Sequence, residues 1–191
     1  MDKKGLEERK SNKRKAVVFV TVPLFAVIIA LCSVISVPFT VPFTLQSFGV
    51  FFALCFLGGR NGTLSLFIYL ALGAVGFPVF SGGGAGVGVL FGFTGGYLFG
   101  WLAAGFCVML FERIFGERLP VRAVAVSVGL LLCYCFGTLW FVVCSGGFSA
   151  VSLWNALCTC VFPFVVFDII KLCLAVFLCG RLARIIKKRV D

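Results

Sequence analysis

Histidine is absent from this 191-residue sequence, and charged residues make up only 13% of it. A soluble domain carries about 25% charged residues, so this chain has too few charges to cover a water-facing surface. Without histidine, the usual general base of a catalytic triad is missing, as is the partner for a mixed cysteine–histidine metal site. What remains is 61% hydrophobic, with 24 Phe. The composition predicts a protein embedded in a lipid bilayer.

Lysine is missing between Lys15 and Lys171, and this absence decides how a dense glycine run is interpreted. Nine of the twenty residues from 81 to 100, SGGGAGVGVLFGFTGGYLFG, are glycine. A phosphate loop follows the pattern G-x-x-x-x-G-K-[ST], in which the lysine reaches the phosphate. The dinucleotide pattern G-x-G-x-x-G does not occur in this stretch either. Phosphate binding is therefore excluded, and the chain is not expected to hydrolyse ATP.

Charge is also missing from three long blocks, residues 16–59, 61–111 and 123–167. A membrane helix needs about 20 apolar residues, so each block fits two helices and a turn. Turn residues interrupt the blocks at Pro38 and Pro42, at 76–96 and at 145–149. The sequence predicts an all-α integral membrane protein with six transmembrane helices in three hairpins: 16–36, 46–58, 61–76, 95–115, 122–144 and 154–180.

Basic residues set the orientation. Of the 17 Lys and Arg, 16 lie in the two tails, at Arg60, or around the junction of the fourth and fifth predicted helices, at Arg113, Arg118 and Arg122. Basic loops stay cytoplasmic, so both termini are expected in the cytoplasm: a basic tail 1–15, a membrane domain 16–180 and a basic tail 181–191. The first apolar run is too long for a signal peptide, and the tails lack the interleaved aromatics expected of a nucleic-acid-binding chain.

Ten cysteines are present, and nearly all fall inside predicted helices. Cys133 and Cys135, like Cys158 and Cys160, are two residues apart, which puts the members of each pair on opposed sides of a helix. We therefore expect cysteine to act as a small apolar packing residue, with no metal site.

Glycines also recur at every fourth position from Gly84 to Gly100, followed by Ala104. At Gly96, Gly100 and Ala104 this small-xxx-small spacing predicts a close helix–helix contact. Before Gly96 so much glycine favours a non-helical backbone, which at membrane depth must line a cavity or be buried. The apolar residues of this external loop favour a lid over a binding cavity, with Gly83 and Gly84 close to the ligand. The alternative is a flexible connector.

The sequence FDIIK places Asp168 and Lys171 three residues apart on one face of the last predicted helix. Each charge near mid-bilayer costs roughly 2.5–3.5 kcal/mol on insertion scales. An inert pair could be replaced by leucines with a gain in stability, so a functional role is favoured over a structural one. An acceptor beside a donor suits a small ligand that carries N–H groups and a carbonyl or carboxylate. The pattern favours binding or transport.

Three segments, PFTVPFTLQSF (38–48), GFPVFSGGGAGVGVLFGFTGGYLFG (76–100) and PFVVFDIIK (163–171), resemble the BioY family. BioY is the biotin-binding S component of energy-coupling-factor (ECF) transporters. The resemblance covers about residues 20 to 180, and it implies biotin as transported substrate, no cofactor, and a prokaryotic cytoplasmic membrane. It leaves Asp168, Lys171, Tyr97, Thr94 and Gln46 as the polar candidates for the substrate site. Three prolines expected from the family are absent, at positions 59–60, 93 and 166–167.

The resemblance also implies protein partners, an EcfT-type transmembrane subunit and two ATPase subunits. Ala26 and Ala30, four residues apart on the first helix, are the candidates for contact with the transmembrane subunit. The alternative is that these alanines pack inside the bundle. Other functions that stay open are an S component for another vitamin, an ion-coupled transporter or channel, and a membrane enzyme with Asp168 as its base.

Overall fold

The computed structural model describes residues 3–38, 42–148 and 153–190, with residues 3–11, 13, 14 and 186–190 described by their backbone alone. The helices are α1 Lys3–Val34, α2 Gln46–Val75, α3 Val87–Leu90, α4 Gly95–Phe115, α5 Leu119–Cys144, α6 Leu153–Cys160 and α7 Phe162–Val190. A short antiparallel hairpin pairs β1, Ser36–Val37, with β2, Phe43–Thr44.

Five helical segments of the described chain are long and apolar enough to cross a membrane. They are Lys15–Val34, Gln46–Val75, Gly95–Phe115, Leu119–Cys144 and Phe162–Ile185. The predicted all-helical, multi-pass architecture is therefore confirmed. The fourth predicted helix, 95–115, begins and ends where α4 does.

Helix α2 reverses direction at Gly58, where φ is 82° and ψ is 175°. A β-carbon on Gly62 would lie 3.1 Å from the Cα of Leu54, although eight residues of continuous helix span about 12 Å. The two arms, 46–57 and 59–75, therefore lie side by side. Glycine is the residue that adopts this positive φ at little cost, and the reversal falls at the end of the predicted helix 46–58.

Glu112 of α4 and Arg122 of α5 brace this reversal. The Glu112 carboxylate accepts a hydrogen bond of 2.8 Å from the Gly59 N–H, which opens the second arm. Arg122 donates to Glu112 through Nε, and its Nη1 donates to the carbonyl of Cys55 at 3.1 Å, where the first arm ends. An anion at a helix start and a cation at a helix end both match the helix dipole.

Helix α1 packs against α2 through the face that carries Ala26 and Ala30. Only 1% of Ala26 and 9% of Ala30 are exposed. A β-carbon on Gly49 of α2 would lie 3.2 Å from the Cα of Ile29, so the two helices approach closely here. Their small side chains pack within the bundle, and contact of Ala26 and Ala30 with a partner subunit stays a prediction.

The glycine stripe of α4 makes the close helix contact that its spacing predicted. A β-carbon on Gly100 would lie 2.9 Å from the Cα of Cys133 in α5. Gly96 lies against Trp140, and Ala104 against Gly129. The stripe runs antiparallel to α5, and the side-chain-free positions allow the two backbones to meet.

The predicted helix 154–180 is two helices, α6 and α7, separated at Val161. Pro163 has no N–H and cannot donate to the preceding turn, whereas Val161 and Val165 both keep backbone bonds of 3.0–3.1 Å. The break before Pro163 lets α7 start afresh, six residues ahead of Asp168.

Candidate ligand-binding cavity

A cavity lies between the β1–β2 hairpin, the N-terminal ends of α2, α4 and α7, and the middle of α5. The segment 76–94, which joins α2 to α4, closes another side. Apolar and aromatic side chains make up about half of its lining. The polar and charged lining residues are Thr44, Gln46, Ser47, Ser81, Thr94, Tyr97, Tyr134, Asp168 and Lys171. The five polar residues selected from the sequence thus line one cavity.

Asp168 and Lys171 form a buried ion pair on one face of α7, with 3.0 Å between Lys171 Nζ and Asp168 Oδ1. Nζ also donates to the backbone carbonyl of Thr44 at 2.8 Å and lies 4.2 Å from the centre of the Phe43 ring. Lys171 therefore ties α7 to the hairpin. Both side chains are buried, so each charge offsets part of the loss of hydration of the other.

Ser47 and Tyr134 complete the polar network around Asp168. The Ser47 hydroxyl donates to Asp168 Oδ1 at 2.7 Å and accepts from Lys171 Nζ at 3.0 Å. The Tyr134 hydroxyl donates to Asp168 Oδ2 at 2.6 Å. Three elements, α2, α5 and α7, thus fix the orientation of a single carboxylate.

Gln46 lies at the start of α2, next to this network. Its backbone N–H bonds Thr44 Oγ1 at 3.2 Å. Its side-chain nitrogen Nε2 is buried and has no hydrogen-bond partner among the described residues. A buried donor without an acceptor is uncommon in native proteins. A ligand acceptor in the cavity would therefore complete the hydrogen bonding of Gln46.

Tyr97 and Thr94 belong to the wall formed by α4. The Tyr97 hydroxyl lies 3.2 Å from Thr138 Oγ1, and its ring packs against Gly137 of α5. Trp140 Nε1 donates to the carbonyl of Gly92 at 3.0 Å, which anchors the chain just ahead of Thr94. This wall is held in place from α5.

The segment 76–94 is pinned over the cavity by Phe80. The Phe80 ring is 1% exposed, fills the space beside Gly73 and meets Tyr69 edge to face at 5.6 Å. The N–H of Gly86 bonds the carbonyl of Gly73 at 2.8 Å. The segment is therefore anchored to α2, and its function as a lid stays a prediction.

Gly83 and Gly84 lie in this segment but are not among the residues that line the cavity. Phe80, Ser81 and Val89 provide the segment's lining instead. Gly83 has a φ of 81°, which explains glycine there by backbone conformation. Close approach of these two glycines to a ligand also stays a prediction.

Sequence reasoning did not select Ser47 and Tyr134. Tyr134 is one of only three tyrosines and stands in a mostly apolar helix, which is a usable signal. Ser47 directly follows Gln46, yet serine is too common in membrane helices to be singled out. Their contacts with Asp168 span 121 and 34 residues, so only the fold brings them together.

Comparison with known proteins gives one consistent family. The sequence matches the model of the BioY family over residues 6–188. It is 38% identical over 159 residues to a protein of Rhodobacter capsulatus named biotin transporter BioY, covering 76% of this chain and 82% of the relative. It is 37% identical over 164 residues to the biotin transporter BioY of Thermotoga maritima, covering 85% of this chain and 93% of the relative.

A solved structure has the same fold. The crystal structure of the S component for biotin from an ECF-type ABC transporter superimposes with a TM-score of 0.80 and 25% sequence identity. The match covers 91% of this chain and 94% of that structure.

Proposed function

The chain belongs to the BioY family, and on that premise we propose that it is a high-affinity biotin-binding S component that mediates biotin uptake. The named relatives are transporters, so the alternative of a membrane enzyme falls away. The cavity around Asp168 is the substrate site in this proposal.

The observation that carries the proposal is the buried Asp168 carboxylate, which offers a hydrogen-bond acceptor to a ligand in a cavity whose lining is about half apolar. A carboxylate offers about four lone-pair positions, and protein groups occupy three of them. The ureido group of biotin has two N–H donors and one carbonyl. Asp168 accepts one ureido N–H. The candidate donors to the ureido oxygen or the carboxylate of the tail are Lys171, which is bonded to three protein acceptors in the structure, and Gln46, whose Nε2 has no partner among the described residues.

The apolar lining suits the rest of the molecule. Trp101, Leu98 and Phe164 line the cavity together with Phe80 of the segment 76–94. Binding sites for small ligands combine such surfaces with a few placed polar groups. The bicyclic ring system lies against these side chains, with Tyr97 and Thr94 on the same wall, and the segment 76–94 with Gly83 and Gly84 covers it as a lid.

The two arms of α2 are separate membrane spans in this proposal, which gives six spans with both termini in the cytoplasm. The reversal at Gly58 lies beside Arg60, Glu112 and Arg122, at the basic and hence cytoplasmic end. The cavity is lined by the hairpin and the segment 76–94, which join the opposite helix ends. Biotin therefore enters from outside a prokaryotic cytoplasmic membrane.

Energy comes from a separate module. The 191 residues contain no phosphate-loop pattern, so we assign ATP hydrolysis to two ATPase subunits coupled through an EcfT-type transmembrane subunit. The solved structure with this fold is itself an S component of an ECF-type ABC transporter, which supports an assembly of this kind.

A thermal-melt panel tests the substrate. Purified protein in detergent is heated alone and with biotin, riboflavin or thiamine. Biotin is expected to raise the melting temperature, since a ligand that binds only the folded state stabilises it by about 2.7 kcal/mol at a hundredfold excess over Kd. A shift with riboflavin or thiamine and none with biotin would assign the chain to another vitamin.

A further inference from the structure

Arg181, near the end of α7, carries a charge without an acidic partner in the described part of the chain. The residue is exposed, and its guanidinium carbon lies 5.4 Å from the centre of the Phe177 ring, one turn earlier in the helix. The ion pairs between described side chains use only Arg122 and Lys171 as cations. The guanidinium of Arg181 is therefore held by an aromatic ring and not by a carboxylate.

The side chain of Arg181 points back along α7 towards an apolar stripe. Side chains of a helix tilt towards its N-terminus, which places this guanidinium over Phe177. Phe177 is 58% exposed and Leu174, on the same face, is 48% exposed, and both belong to the apolar segment Phe162–Ile185. Arginines near the end of a membrane helix reach the interface with water, which is the level of the phospholipid phosphates.

The start of α5 brings a second arginine to the same place. A β-carbon on Gly180 of α7 would lie 3.7 Å from Cδ2 of Leu119, the first residue of α5. Arg118 directly precedes Leu119, is exposed, and likewise has no ion pair with a described side chain. Arg118 and Arg181 are thus chain neighbours of the two residues in this contact. Two cations close together repel each other, and an anion between them removes that repulsion.

An anionic phospholipid matches both the charged and the apolar part of this surface. A guanidinium binds phosphate oxygens through two parallel N–H donors, and basic pockets between membrane helices bind anionic headgroups. The exposed side chains of Leu174 and Phe177 continue from Arg181 along the direction that an acyl chain takes. A soluble phosphate would match the arginines alone.

We propose that the junction of α5 and α7 binds an anionic phospholipid, with its phosphate between Arg118 and Arg181 and one acyl chain along Leu174 and Phe177. The Arg118 carbonyl accepts from the Arg122 N–H at 3.0 Å, so this site lies at the end that carries the reversal of α2. In the proposed topology that end is in the cytoplasmic leaflet. The site goes beyond the proposed function, because it requires a membrane around α7 and no ligand in the cavity.

Native mass spectrometry of the full-length protein in a neutral detergent tests the site. The protein is titrated at about 0.15 M salt with phosphatidylglycerol and with phosphatidylcholine of the same acyl chains. Wild type is expected to bind phosphatidylglycerol more tightly than phosphatidylcholine. The double variant Arg118→Gln/Arg181→Gln should bind phosphatidylglycerol roughly tenfold or more weakly, because each basic residue near an anionic headgroup contributes about fivefold. Its affinity for phosphatidylcholine should be unchanged.

Arg60→Gln/Arg113→Gln is the charge-matched control. Both residues are exposed, have no ion pair with a described side chain, and belong to α2 and α4. The control therefore removes the same charge without altering the junction of α5 and α7. Its affinity for phosphatidylglycerol should stay close to that of wild type, because the proposed site depends on direct contact with the phosphate. If the first double variant does not fold, Arg181→Gln alone replaces it, with an expected loss of about fivefold.

Equal affinities of wild type for the two lipids would overturn the proposal. An equal loss of phosphatidylglycerol binding in the two double variants would overturn it as well, because that result indicates a general effect of net charge. Inorganic phosphate that displaces phosphatidylglycerol at the same concentration would show a phosphate site and not a lipid site. A preference for phosphatidylglycerol that is lost on changing Arg118 and Arg181, and kept in the control, supports the site.

Discussion

Asp168 is the central residue of the proposed binding site. Its carboxylate accepts hydrogen bonds from Ser47, Tyr134 and Lys171 and still has one lone pair free. Asp168→Asn keeps the shape, removes the charged acceptor and leaves Lys171 without its counter-ion. Hydrogen bonds to charged groups contribute roughly 1.5–3 kcal/mol, so biotin affinity should fall at least tenfold.

Titration calorimetry on folded, monodisperse protein measures this loss, with the melting temperature as a check on folding. Affinity equal to wild type in a folded Asp168→Asn variant would remove Asp168 from the site. Phe106→Leu is a control for the effects of mutation and purification, and it should bind biotin like wild type. Phe106 is exposed on α4 and does not line the cavity.

At the scale of elements, the segment 76–94 should hold the ligand only while Phe80 is seated beside Gly73. A methyl group on Gly73 would collide with Phe80, because the three heavy atoms nearest to it would all belong to the Phe80 ring. Overpacking of this kind costs about 1–3 kcal/mol, so Gly73→Ala should displace the ring and weaken biotin binding about tenfold, mainly through faster dissociation.

Gly88→Ala is the matched control in the same segment, because a β-carbon there meets no atom within 4 Å and the backbone φ is not in the positive region. Stopped-flow or radioligand chase compares the two dissociation rates. Equal rates in Gly73→Ala and wild type would show that Phe80 does not secure the segment.

The reversal of α2 leads to a prediction about stability rather than binding. Glu112→Gln removes the charge that Arg122 and the Gly59 N–H share. Breaking one side of a mostly buried ion pair costs about 3 kcal/mol or more, so the melting temperature should drop. Biotin affinity should persist, because neither residue lines the cavity.

Glu117→Gln is the control for that experiment, since Glu117 is 79% exposed and lies 3.9 Å from Arg122. Surface ion pairs of this kind contribute little, so its melting temperature should stay near that of wild type. A Glu117→Gln variant as unstable as Glu112→Gln would contradict the bracing of the reversal.

The helices and their packing were predictable from the sequence to different degrees. The charge-free blocks and the glycine spacing are local signals, so they located α4 and its packing on α5. The break at Val161 was missed because Pro163 also fits the first turn of a helix, and one long apolar run concealed it. The burial of Ala26 and Ala30 was not predictable either, because small residues serve internal and external helix contacts equally well.

Within the site, too, local sequence signals were predictable and contacts between distant residues were not. The pair Asp168 and Lys171 stood out because charge inside an apolar helix is costly. Ser47 and Tyr134 did not, because their importance comes from contacts with a distant part of the chain. The pairing state of Gln46 also depends on the surrounding fold, which no sequence pattern describes.

The whole molecule has two unlike ends. One carries Arg60, Glu112 and Arg122 around the reversal of α2. The other carries the hairpin, the segment 76–94 and the cavity with its single buried ion pair. The cavity therefore lies at the end of the molecule opposite the charged cluster around the reversal of α2.

In the proposed function, biotin occupies this cavity with its ureido group at Asp168. A crystal or electron-microscopy structure of the protein saturated with biotin is the decisive experiment. One biotin per chain is expected, with a ureido nitrogen within about 3 Å of Asp168 Oδ2 and the ring system between Trp101 and Phe80. Biotin bound elsewhere, or bound here with its ureido group away from Asp168, would contradict this arrangement.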